Sequence, residues 1–160
     1  MTTDLLPALS LPAYGARLRD AGGVTQIFDS IRNKWVVLTP EEWVRQHFVN
    51  MLVRHYGYSP FRLANERSIR INGQLKRCDT LIYNDNMQPI GIVEYKAPDI
   101  AVTQKVFDQI ARYNLVIGAP LLIVSNGIHT YALAIHGTPG EKPQVRWLDG
   151  IPTPEHIATL

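Results

Sequence analysis

The stretch GIVEYKAPD, residues 91–99, carries Glu94 and Lys96 two positions apart at the end of an apolar run that breaks at Pro98. Residues two apart on a strand point to the same face, so Ile90, Ile92, Glu94 and Lys96 are expected along one side. Upstream, Asp79 lies in KRCDTLIY, in a pattern that otherwise favours burial. If the strands carrying Asp79 and Glu94 pair as a meander, the two carboxylates meet within a few ångström. Burying an unpaired carboxylate is costly, and two close ones repel. A divalent cation removes that cost. Mg²⁺ prefers oxygen ligands and keeps several waters, so two carboxylates and one main-chain carbonyl, that of Tyr95, suit it. Lys96 would then orient the attacking water and offset charge developing on a phosphate. This is chemistry for hydrolysing a phosphodiester. Taken singly, each acid also fits a solvated strand end or a turn, and it is the conjunction that points to a site.

The elements that must position these groups follow from the pattern. Residues 1–25 read as a peripheral arm with weak structure, and 26–38 as short strands. A helix starts at Thr39 as N-cap with Pro40 in its first turn, Glu41 and Glu42 at the positive end of the dipole, and Gly57 at its end. Val44, Phe48, Met51, Leu52 and His55 recur at helical spacing and predict its buried face. Asn72-Gly73 marks a hairpin between strands at about 62–71 and 75–83. A third strand runs to Pro98, and a helix at about 103–117 packs through Val106, Ile110, Tyr113 and Ile117. The apolar run 119–127 reads as a buried strand, followed by strands at 129–135 and 145–149, with 136–143 as loop and 151–160 as a loose tail. A helix between two strands implies a parallel crossover. The fold class is α/β (α+β), a mixed four- to five-stranded sheet flanked by helices, forming one domain over residues 26–150.

The totals fit. The chain has 160 residues, 46% hydrophobic and 19% charged, which describes a soluble globular domain with a core. A net charge of +2 permits a nucleic-acid partner without requiring one. The single cysteine, Cys78, excludes a disulfide framework and a cysteine zinc site, and fits a reducing, cytoplasmic setting. No signal peptide, membrane span or repeat is expected. The histidines at 47, 55, 129, 136 and 156 lack metal-ligand spacing, and Ser125 is not in a nucleophile elbow.

The series TPEEWVRQ, KRCDTLIY, GIVEYKAP, QIARYN and LIVSNG, in that order over residues 27–133, resembles the N-terminal nuclease domain of type I restriction endonuclease R (HsdR) subunits, in the PD-(D/E)xK nuclease superfamily. The resemblance implies a restriction-endonuclease-like core and a Mg²⁺-dependent cut in DNA, with Mn²⁺ substituting. It assigns Asp79 and Glu94 to the metal and Lys96 to the water, with Glu41 or its neighbour Glu42 as the acid of the first helix. Glu41 is preferred because it precedes Val44 and Arg45 by one turn on the packing side. Gln109 and Tyr113, four apart on one helix face, are similar to the Gln-x-x-x-Tyr motif of RecB-like nucleases. Cys78 stands where the superfamily has proline. Arg67, Arg70, Lys76 and Arg77 fit both a DNA-backbone track and a charge-protected sheet edge, and Glu66 can pair with Arg77 or support the site. No Gly-rich ATP loop is present, so the chain reads as a free-standing nuclease-like domain or a piece of a larger protein. Its partners would be DNA, restriction-modification subunits or a separate motor protein, with no membrane. A homodimer is one way to cut both strands. A non-catalytic DNA-binding or assembly module, or an enzyme on another nucleic acid, are the competing readings.

Overall fold

A computed structural model describes residues 6–137 and 141–160. Two sheets and two long helices build it. A small antiparallel sheet joins β1 (Leu18–Ala21), β2 (Val24–Asp29) and β3 (Lys34–Val37). The chain then enters α1 (Pro40–His55). The main sheet has the order β4 (Leu63–Ile71), β5 (Gln74–Tyr83), β6 (Pro89–Tyr95), β7 (Leu121–Ser125), β8 (Thr130–His136) and β9 (Gln144–Leu148). Among the described residues only β6 and β7 pair in parallel, and α2 (Gln104–Ile117) makes the crossover between them.

Local chemistry explains the boundaries. Thr39 Oγ1 accepts from the Glu42 amide at 3.0 Å and Pro40 opens the helix, so α1 starts as a capped helix should. Asn72 and Gly73 both have positive φ, at 51° and 77°, the conformation of the two-residue turn that joins β4 to β5. Gly118, with φ of 67°, closes α2 and donates its amide to the Asn114 carbonyl at 2.8 Å.

The core has two halves, one against each helix. Val44, Phe48 and Leu52 of α1 pack on Val93, Tyr95 and Ile123. Val106, Ile110 and Tyr113 of α2 pack with Leu81, Ile92, Leu122 and Val124. The paired strands are buried between the helices, which is why 121–125 is apolar without alternation.

Several expectations change. The sheet has six strands rather than four or five, because β9 pairs with β8 along its whole length. Leu18–Ala21 pairs with β2 and is structured, whereas the first five residues of the expected arm lie outside the described residues. The expected loose tail packs: α3 (Pro154–Ile157) places Ile157 in the α1 half of the core, and the Tyr58 hydroxyl donates to the Pro152 carbonyl at 2.6 Å. Part of the expected 136–143 loop, residues 138–140, falls outside the described residues. His55 is exposed, although Leu52 in the same last turn is fully buried, because the polar ring stays on the solvent side of the helix end. Ile90 packs in the α1 half while Ile92 packs in the α2 half, because a register irregularity at Ile82/Tyr83 interrupts the alternation between them. Glu94 and Lys96, beyond it, do meet.

Candidate active site

The site forms where β5 and β6 run side by side. Thr80 pairs with Val93, which brings the preceding Asp79 beside the following Glu94. Asp79 Oδ2 accepts the Tyr95 amide at 2.8 Å, a bond from the strand that carries Glu94. Both acids are buried, Asp79 to 8% exposure and Glu94 to 4%. Lys96 Nζ lies 3.7 Å from Glu94 Oε1. Tyr95 is held at three points: its amide by Asp79, its hydroxyl donating to Thr80 Oγ1 at 2.9 Å, and its ring against Phe48.

The electrostatics are those of acids forced together. Burial and the Asp79 charge push Glu94 up to about 8, against the pull of Lys96. Burial also raises Asp79, although the Tyr95 amide and Arg45 oppose it. Glu41 is raised by burial and by Asp79. Glu94 Oε1 is supported by Gln109 Nε2 at 2.8 Å, whereas Oε2 is buried with no amide, hydroxyl or cation bonded to it, and the direct contact of the two carboxyls favours a proton on Glu94 and a charge on Asp79. Gln109 spends its second amide proton on the Tyr113 hydroxyl at 3.1 Å. The two α2 residues thus act on the site through Glu94.

Among the described residues no group of three or more His, Cys, Asp or Glu side chains has a metal-holding arrangement. The oxygen donors available to a metal here would be the two carboxylates, with a main-chain carbonyl such as that of Tyr95. A hard cation that keeps most of its waters is compatible with so few side chains. The two buried carboxyls, which otherwise share a proton between them, are the feature that such a cation would satisfy.

Glu41 and Glu42 have different surroundings. Glu42 accepts from Arg32 at 2.7 Å, Arg45 at 2.6 Å and Gln46 at 2.8 Å, so both its oxygens are occupied by structural partners. Glu41 is half-buried, feels the charges of Asp79 and Lys96, and lines an opening of about 430 Å³ with Arg45, Glu66 and Ala97.

Arg45 is a site residue that the sequence did not single out. It is 3% exposed and reaches Glu42, Glu66 and Asp79, the last at 3.3 Å. These three carboxylates hold its guanidinium charged against the cost of burial. The available signal was a long cation one turn after Glu41 and Glu42, on the face of α1 that buries Val44 and Phe48. Glu66 has a φ of 57° inside β4, a conformation that costs a non-glycine residue about 1 kcal/mol or more. Its carboxylate bridges Arg45 and Arg77, the latter at 3.4 Å.

The basic hairpin residues do not form one patch. Lys76 and Arg77 point to opposite faces of β5, as neighbours on a strand must. Arg77 is tied to Glu66 and Arg70 donates to the Gly73 carbonyl at 3.4 Å, while Arg67 and Lys76 are exposed without an ion pair among the described residues. Cys78 is fully buried, and burial pushes its thiol up to about 12, consistent with core filling. His47 is buried against Trp43 and Tyr14 and bonds the Trp43 carbonyl at 2.9 Å, away from the acid pair.

The fold, a mixed sheet between helices, has a solved counterpart. The chain is similar to a fragment described as an HsdR subunit of a type I restriction enzyme from Vibrio vulnificus, with a TM-score of 0.53 and 23% identity over 76% of this chain. It spans 25% of that chain, so the likeness speaks for the fold. No curated protein matches. The family model for the type I restriction enzyme R protein N terminus (HSDR_N) matches residues 40–152, from the start of α1 to beyond β9. The chain belongs to this family.

Proposed function

We propose that this domain is a Mg²⁺-dependent endodeoxyribonuclease of the PD-(D/E)xK type, working in a type I restriction system. The observation that carries the reading is the buried pair of Glu94 and Asp79 carboxyls, with no amide, hydroxyl or cation bonded to Glu94 Oε2 and with Lys96 3.7 Å from Oε1. Asp79, Glu94 and the Tyr95 carbonyl would hold the ion, with Glu41 at its water shell. When bound, the cation would lower the pKa of a ligated water and neutralise charge on the scissile phosphate. Mn²⁺ would substitute. Lys96, with a quarter of its side chain exposed, donates toward the water and the phosphate while its charge steadies Glu94. Gln109 fixes the Glu94 carboxylate, and Tyr113 fixes Gln109. Of the hairpin cations, the exposed Arg67 and Lys76 would contact the DNA backbone, whereas Arg77 is held by Glu66 and Arg70 by the Gly73 carbonyl. Partner restriction subunits would bring target choice and a motor, in the cytoplasm, and two copies of the domain would supply one active site per strand.

One observation favours a second reading, a non-catalytic DNA-binding module. Arg45 already places a positive charge 3.3 Å from Asp79. Nicking of supercoiled plasmid separates the two. The nuclease reading expects nicking with Mg²⁺ that stops in EDTA and falls at least about 100-fold in Lys96→Ala, the range of a group that moves or holds a proton in the transition state. Metal-independent DNA binding, unaffected by Lys96→Ala and without nicking, would establish the module instead.

A further inference from the structure

We propose that Lys76, Lys105 and Arg112 form a seat for a DNA phosphate beside the one that is cut, an inference that rests on the nuclease reading. The three line a cleft of about 490 Å³ together with Gln109 and Tyr113. Lys105, Gln109, Arg112 and Tyr113 stand at i, i+4, i+7 and i+8 and so form one stripe of α2. Lys76 enters from β5, where it pairs across from Ile69 of β4, a residue packed in the α2 half of the core.

The cleft contains three cations and no acid. Other cations of the region are occupied: Arg45 by three carboxylates, Arg77 by Glu66, Lys96 by Glu94. Lys76, Lys105 and Arg112 are exposed and make no ion pair among the described residues. Cations gathered without a counter-charge repel one another, and an anion between them relieves this.

The floor of the cleft leads to the reacting centre. The Tyr113 oxygen accepts from Gln109, which leaves the hydroxyl proton of Tyr113 for an acceptor in the cleft. Gln109 gives its other proton to Glu94 Oε1. A phosphate held by the three cations and Tyr113 is therefore connected through two side chains to a proposed metal ligand. In this account one DNA strand presents a phosphate near Lys96 and a neighbouring one to the cleft. Lys105 and Arg112 are binding residues in this account, and Tyr113 links binding to the position of Glu94.

The test is fluorescence anisotropy of a labelled DNA duplex in EDTA over a range of salt, with the wild type and the double variant Lys105→Ala/Arg112→Ala. The expected result is affinity at least about 10-fold weaker at low salt, and a plot of log affinity against log salt shallower by about one, as for one lost phosphate contact. Lys105→Arg/Arg112→Lys should restore the slope, which a merely structural role would not predict, and Lys76→Gln should weaken binding in the same direction. Unchanged affinity and slope in the double variant, or a wild type that binds no duplex, overturns the cleft. Mn²⁺ titration of the same proteins reports separately on the metal. A wild type that takes no Mn²⁺ but shows the slope loss overturns the nuclease reading and keeps the cleft.

Discussion

Glu41 and Glu42 are adjacent in the chain, yet their surroundings assign them different work. Glu42 is a structural hub for Arg32, Arg45 and Gln46, and removing its charge leaves a buried arginine partly uncompensated. Glu42→Gln is expected to destabilise the fold by about 3 kcal/mol, the scale of breaking a buried ion pair. Glu41→Gln should leave the unfolding free energy from urea titration within about 0.5 kcal/mol of wild type while weakening Mn²⁺ binding or Mg²⁺-dependent nicking. Equal stability loss in both variants would remove the distinction. The acids and the lysine of the site were legible because strand alternation and one hairpin register suffice to bring Asp79, Glu94 and Lys96 together. Arg45 was not, because which carboxylates a long side chain reaches depends on how α1 lies across β4 and β5. Lys105 and Arg112 were overlooked for a similar reason: two cations seven apart on a helix usually face solvent, and only the opposite strand makes them line a cleft with Lys76.

The elements that hold the site are anchored by close backbone approach. Gly127, between β7 and β8, has a φ of 83°, and its amide donates to Ser125 Oγ. A Cβ there would lie 2.7 Å from Leu9 Cδ2 and 3.1 Å from Val44 Cγ2, where the N-terminal segment crosses α1 and is tied down by the Ser10 amide on the Gly127 carbonyl. Gly127→Ala should therefore cost about 1–3 kcal/mol in thermal or urea unfolding. Adding Leu9→Ala to it should recover only part of the loss in urea midpoint assigned to the clash, because the left-handed backbone remains. A neutral Gly127→Ala would mean that this crossing does not brace the helix. The main strands and both long helices were readable from capping, the Asn72-Gly73 turn and apolar spacing. The β1 strand and the packed C-terminal residues were not, since short polar-edged segments such as LRDA and PEHI carry little periodicity and owe their structure to β2 and Tyr58.

Across the whole molecule, the buried acids make stability depend on pH and on metal. Glu94 is raised from the ordinary 4.5 to about 8. Asp79 and Glu41 shift the same way. A raised acid keeps its proton longer in the folded chain than in the unfolded one. Stability is then fully present below the unfolded value and declines as pH rises toward the folded one. Metal-free protein should lose thermal stability from about pH 5 to pH 8, Mg²⁺ should flatten the decline, and Glu94→Gln should reduce it in EDTA. Asp29 runs the other way: burial works to raise it, but its bonds from the Arg32 backbone, Asn65 and Arg32 hold it below 3.8, so its contribution is lost only in more acid solution. Stability that instead climbs from pH 5 to 8 in EDTA would contradict the buried carboxylate pair. Calorimetric titration of Mn²⁺ into wild type and Asp79→Ala at pH 8, with and without a DNA duplex, decides whether Asp79 and Glu94 form a cation site. Binding in the wild type that disappears in the variant is the expected result. Equal binding in both proteins, or none in the wild type even with DNA present, would contradict it.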